Sequence, residues 1–183
     1  MVVAAPTATA LVFDAPPVPP RPAPRVSPPL LPERRLAFRN LHVDERCDAC
    51  WMKGGELHAE GLAEIDHAMR DWRTGEAMEI DRGLIRLMTD LREAVDASPR
   101  QGFDLISGYR SPVTNGALRA RGGAHTGVAT RSQHMLGKAA DIALPGTPLS
   151  RLRDAAYGLE RGGVGYYPTD GFVHVDTGRV RRW

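Results

Sequence analysis

The sequence has little net charge, almost no cysteine and no apolar run long enough to cross a bilayer. Its 24 basic and 22 acidic residues leave a net charge of +2, and the arginines are scattered rather than striped with aromatics. No strong field for nucleic acid results, and nucleic acid is not expected as a partner. Two cysteines occur, in Cys47-Asp-Ala-Cys50. A single Cys-x-x-Cys without a second pair is a poor zinc site, which leaves a small disulfide or two free thiols, and His42 and His58 nearby do not amount to a second metal site. Met1 to Phe13 is apolar, but it has no basic leader and Asp14 follows directly. It is a poor secretory signal and far short of the roughly 20 residues of a transmembrane helix, so no membrane span is expected. A start site placed too far downstream would explain the missing basic leader.

Apolar residues make up 42% of the chain, enough for one core, and many of the 15 prolines fall between Pro6 and Pro32. A proline-rich stretch such as Ala15-Pro-Pro-Val-Pro-Pro-Arg-Pro-Ala-Pro-Arg25 favours extended conformations and packs poorly, so residues 1–34 read as a disordered linker and 35–183 as one folded domain. Within that domain, Arg35 to His42 and Cys47 to Trp51 read as a hairpin. Leu57 to Trp72 and Asp81 to Val95 read as amphipathic helices, with Asp81 as N-cap. Phe103 to Ser107 and Lys138 to Leu144 are expected strands. A last helix should run from Thr147 or Ser150 to Leu159, and Gly171 to Thr177 is the final expected strand. Arg179-Val-Arg-Arg-Trp183 reads as a contact for an anionic polymer such as a glycan-peptide mesh or, preferred, as a solvated, salt-bridged end. The expected class is α+β, a small antiparallel sheet packed against helices.

Three residues stand out from this frame. His134 and Asp141 lie in Ser132-Gln-His-Met-Leu-Gly-Lys-Ala-Ala-Asp141, and His174 lies in Gly171-Phe-Val-His-Val-Asp176. A pair six residues apart does not share a helix face, but it suits a turn at Gly137 feeding a strand. The period of two in the last strand puts His174 and Asp176 on one face, with Val173 and Val175 on the other. Two imidazoles and a carboxylate leave the fourth tetrahedral position of a zinc ion open, as catalytic sites do.

The stretches Ile106-Ser-Gly-Tyr-Arg-Ser111, Ser132-x-His-x-x-Gly-x-Ala-x-Asp141, Gly162-Gly-Val-Gly-Tyr-Tyr167 and Phe172-Val-His-Val-Asp-Thr-Gly178 resemble the zinc-dependent murein endopeptidases. These are related to D-alanyl-D-alanine carboxypeptidases and dipeptidases, the hedgehog and D-Ala-D-Ala peptidase-like group. The resemblance runs from about Arg35 to Trp183. It implies a periplasmic or cell-envelope peptidase that cuts peptide cross-links between peptidoglycan stems, with one Zn2+ per chain held by His134, Asp141 and His174. Alternatives are a D-alanyl-D-alanine carboxypeptidase and a non-catalytic zinc-containing module that binds peptidoglycan. Zinc would activate water and polarise the scissile carbonyl.

Arg110 matches the family's arginine beside the metal, a stabiliser of the developing oxyanion or a clamp on a substrate carboxylate. Dipeptidase relatives place an acid three positions before the last histidine, where this chain has Gly171. The base is therefore sought at Asp176, which is preferred and could instead orient a ligand imidazole, or at Asp170. Tyr109, Ser132 and Tyr166 are expected near the substrate, Tyr166 and Tyr167 being either core or cleft-wall aromatics. His125 reads as a solvated loop histidine.

Overall fold

The computed structural model describes Met1 and residues 33–122 and 129–183. The linker expected over 1–34 falls almost wholly outside the described residues, as does His125. In chain order the elements are β1 (Arg34–Asn40), β2 (Glu45–Lys53), β3 (Glu56–Leu57), α1 (Ala59–Ala68), α2 (Arg82–Ala94), β4 (Phe103–Ser107) and α3 (Pro112–Gly122). A 3-10 turn at Gln133–Leu136 then leads to β5 (Ala139–Ala143), α4 (Leu149–Leu159), β6 (Gly163–Tyr167), β7 (Phe172–Asp176) and β8 (Arg181–Arg182). The strands form one sheet in the order β3-β2-β1-β4-β5-β7-β6-β8. The pairs β1/β4 and β6/β8 are parallel, and the other neighbours are antiparallel.

The α+β class follows from this arrangement. The strands that carry the candidate ligands are antiparallel as expected, and the sheet extends beyond them on both sides. Parallel pairing of β1 with β4 joins the N-terminal hairpin to the ligand strands, and β8 adds to the opposite edge.

Helix α2 forms because Leu84, Leu87, Met88 and Leu91 recur at helical spacing and all are buried against the sheet. Burying each such side chain stabilises the fold by about 1.5–3 kcal/mol. Its start is set by the Asp81 carboxylate, which accepts from Leu84 N at 3.0 Å and satisfies one of the free N–H groups of the first turn. Leu152 and Ala156 of α4 enter the same core, where they meet Ala140 and Ile142 of β5 and Val173 and Val175 of β7. Since successive strand residues face opposite ways, the intervening Asp141, His174 and Asp176 point away from that core.

Two helices differ from expectation. α1 begins at Ala59 rather than Leu57, because Leu57 pairs with Met52 in β3 and His58 Nδ1 caps the helix by accepting from Gly61 N at 3.3 Å. α3 carries no apolar period to reveal it, since its buried positions include Thr114 and Asn115. Its start signal is Ser111 before Pro112, with Ser111 Oγ accepting from Thr114 N at 3.2 Å, a cap followed by a proline whose missing N–H is not needed there.

Cys47 and Cys50 are free thiols. Both lie in β2, where residues three apart face opposite sides with Cα atoms about 10 Å apart, beyond the roughly 7 Å limit for a disulfide. Burial pushes the Cys47 thiol up to about 12.

Candidate metal centre

Antiparallel pairing of β5 with β7 sets Asp141 directly opposite His174. His134 arrives from the 3-10 turn that precedes β5. Ser132 Oγ caps that turn by accepting from His134 N at 3.4 Å, and Gly137 closes it at φ 65°. A side chain at Gly137 would suffer twice, from the left-handed backbone and from a Cβ 2.7 Å from the Glu79 carbonyl oxygen.

The three ligand atoms converge. His134 Nε2 lies 3.2 Å from His174 Nδ1 and 3.3 Å from Asp141 Oδ1, and His174 Nδ1 lies 2.8 Å from Asp141 Oδ1. Ligands on a tetrahedral zinc at about 2.0–2.2 Å stand roughly 3.3–3.5 Å apart, so the donor set matches the edges of one face to within about half an ångström. Among the described residues no other group of three or more such side chains could hold a metal ion.

The outer ring nitrogens are both engaged. His134 Nδ1–H donates to the Gly108 carbonyl at 2.7 Å, and His174 Nε2–H donates to Asp176 Oδ2 at 3.0 Å. Each imidazole therefore turns its other nitrogen toward the centre, where it can carry a proton to Asp141 or give a lone pair to a metal ion, the arrangement in which outer partners orient the inner ligands.

Charge accounts for the pKa directions. Burial alone would raise the Asp141 carboxyl, but His134 and His174 outweigh it and hold it far below the usual carboxylate range. Burial would lower His174, yet its bonds to Asp141 and Asp176 raise it. For Asp176 burial is likewise overcome, by His174, Arg181 and the Gly178 N–H, and the carboxyl is held far down. Five donors share its two oxygens: His174 Nε2, Gly163 N, Gly178 N and both terminal nitrogens of Arg181. Asp176 has no solvent exposure.

A cleft of about 250 Å³ opens on these residues and is also lined by Arg110, Ser132, Asp170, Tyr167 and Trp183. Arg110 projects its guanidinium to 3.6 Å from Asp141 Oδ2 and 3.3 Å from Ser107 Oγ. Its Nε is buried with no partner among the described residues. Asp170 stands exposed in the turn before β7.

Two residues expected near substrate lie elsewhere. Tyr109 is buried in the core, and its hydroxyl donates to Glu76 Oε1 at 2.9 Å. It follows Gly108 into the turn between β4 and α3, where the side chain that reaches the cleft is that of Arg110. Tyr166 packs on the core beneath the Arg153 guanidinium, 4.6 Å from its ring centre, and by strand alternation its neighbour Tyr167 faces the cleft. His42 and His58 are apart from the centre: His42 stacks on Trp72 at 4.2 Å, and His58 caps α1.

Arg181 and Trp183 also line the cleft, where the sequence alone does not place them. Both lie in the segment taken for a solvated end, which instead adds β8 to the sheet and continues with Trp183 N donating to Val164 O at 3.2 Å. The alternation of Arg181 with Trp183 along an extended segment was the available signal.

The chain is similar to the peptidoglycan L,D-endopeptidase MepK of Escherichia coli (strain K12), 42% identical over 150 residues that cover 82% of this chain and 80% of that protein. It is equally similar to the peptidoglycan L,D-endopeptidase MepK of Shigella flexneri, with the same identity and coverage. No solved structure matches the chain. The family described as peptidoglycan L,D-endopeptidase MepK matches residues 31–183, and the chain belongs to that peptidase family.

Proposed function

We propose that this chain is a zinc metallopeptidase that hydrolyses peptide cross-links of peptidoglycan in the periplasm, with residues 35–183 as its catalytic domain. The observation that carries the proposal is the convergence of His134 Nε2, His174 Nδ1 and Asp141 Oδ1 beside Arg110 in an open cleft. Two nitrogen donors and a carboxylate oxygen suit zinc, and a three-ligand set belongs to catalysis rather than to a closed structural site. A zinc held there supplies a Lewis acid that polarises the scissile carbonyl and makes water a nucleophile near neutral pH.

The chain's own groups take the remaining roles. Arg110 is permanently charged and half-paired, so it can stabilise negative charge developing on the carbonyl oxygen or hold a substrate carboxylate. Ser132 shapes the turn that presents His134. Asp176 orients His174: with five donors on two oxygens it has no lone pair free for a substrate proton. Asp170, exposed on the cleft, is the better base, and this supports moving that role from Asp176 to the turn before β7.

Incubating the protein with purified cross-linked muropeptides, with and without a chelator, tests the proposal. Cross-linked dimers should fall to monomers, chelation should stop the reaction and added zinc should restore it. Release of terminal D-alanine alone would mark a carboxypeptidase, and binding without cleavage would mark a non-catalytic module.

A further inference from the structure

The cleft is lined by two kinds of side chain. Arg110 and Arg131 come from the segments after β4 and before the 3-10 turn, whereas Tyr167, Phe172 and Trp183 come from β6, β7 and the residue after β8. Trp183 is the unusual member, because it is held firmly yet remains 48% exposed.

Its backbone is locked to β6 through both polar groups, with Trp183 N donating to Val164 O at 3.2 Å and Trp183 O accepting from Tyr166 N at 3.0 Å. The indole Nε1–H donates to the Tyr167 hydroxyl at 2.6 Å, and Tyr167 is itself stacked on Phe172 at 4.6 Å. The Arg181 guanidinium lies 4.8 Å from the indole centre. Gly165 makes room for the ring, since a Cβ there would stand 2.7–2.8 Å from three indole atoms. The ring centre is 5.3 Å from that of His174.

An apolar ring of this size would normally be buried or free to move. One that is fixed by hydrogen bonds and left open to a cleft has already lost the conformational freedom that binding would otherwise remove. We infer that Trp183 is a specificity-determining residue whose half-exposed indole, continued by Tyr167 and Phe172, receives the alkyl part of the stem-peptide residue beside the scissile bond. The arginine-bearing part of the cleft takes the carboxylates of the same peptide. This inference rests on the peptidase reading above.

The test is calorimetric titration of a purified cross-linked muropeptide into the chelator-treated full chain, alongside steady-state kinetics of the zinc-loaded enzyme. Trp183→Ala should weaken binding about tenfold and raise KM by a similar factor, with kcat within about twofold and zinc content unchanged. Trp183→Phe should bind within about threefold of wild type. Gly165→Ala, which pushes the ring from its seat without removing it, should resemble Trp183→Ala and decides the matter if that variant misfolds. Wild-type affinity in Trp183→Ala overturns the inference alone, as does loss of zinc with affinity unchanged, which would make Trp183 a shield for His174. A wild-type chain that neither binds nor cleaves muropeptides overturns the peptidase reading and this inference with it.

Discussion

At the β3-β2-β1 end of the sheet the chain carries Cys47 and Cys50, with His42 and His58 beside them; at the β5-β7 end it carries Asp141 and His174, with His134 from the adjoining turn. Both stocks contain residue types that bind metals. At the first end strand geometry sends the two thiols to opposite faces, and the histidines are occupied, one stacked on Trp72 and one capping α1. At the second end the register sets Asp141 opposite His174 on one face, and a capped turn swings His134 over them. Composition thus does not say which of these residues converge, and cross-strand register does.

The largest expected effect breaks the gathered end and leaves the scattered end as control. His174→Ala or His134→Ala should abolish zinc binding and reduce turnover to background, while Cys50→Ser should keep full metal and activity. Elemental analysis of the purified variants measures this, and full zinc occupancy in both histidine variants would sink the ligand assignment.

Next come the two carboxylates that flank the ligand set, Asp170 and Asp176. Asp170→Asn should keep zinc and lose about 10²–10⁴ in turnover, the usual contribution of a general base. Asp176→Asn should instead weaken zinc affinity about ten- to a hundredfold, because an amide cannot match the carboxylate that now orients His174. Near-normal turnover in Asp170→Asn, with zinc affinity intact and turnover lost in Asp176→Asn, would return the base to Asp176.

Arg110→Lys sharpens the comparison further, since it keeps a charge beside Asp141 but loses the planar fork. A turnover loss on the order of a hundredfold with zinc retained is expected. Unchanged kcat on a cross-linked muropeptide would leave Arg110 only the ion pair that ties its turn to Asp141.

The smallest effect lies at the seam between the two halves. Asp71, just beyond α1, accepts from Ser111 N at 2.9 Å and Arg73 N at 3.0 Å, and so ties the turn that carries Arg110 to the segment that follows α1. Burial would raise its carboxyl, but bonds from Thr114, Ser111 and Arg73 lower it below the ordinary 3.8. A depressed folded value means that its stabilisation is complete above that ordinary value and fades as pH falls through the folded one. Asp71→Asn should therefore cost about 1–3 kcal/mol at neutral pH, a gap from wild type that narrows on acidification in denaturant titrations.

Much of the fold was legible because hydrophobic period survives in a linear reading. The spacing of Leu84, Leu87, Met88 and Leu91 gave α2, Asp81 gave its start, and the alternation of Val173 and Val175 with His174 and Asp176 gave β7 two-sided chemistry before any partner strand was known. α3 was missed because a helix that buries Thr114 and Asn115 has no apolar stripe, and β8 because two residues are too short to show a period.

By itself the sequence determined the chemistry available: which residues can bind zinc, that His134 and Asp141 flank a glycine turn, and that His174 and Asp176 share a face. Those follow from residue type and from the fixed periods of helix and strand. Tertiary structure alone decided which nitrogen of each imidazole faces the centre, that five donors saturate Asp176 while Asp170 stays open, that Tyr109 is core, and that Trp183 reaches back to the cleft. Each of these depends on contacts between residues far apart in the chain, on register and on hydrogen-bond partners, and no local pattern encodes them.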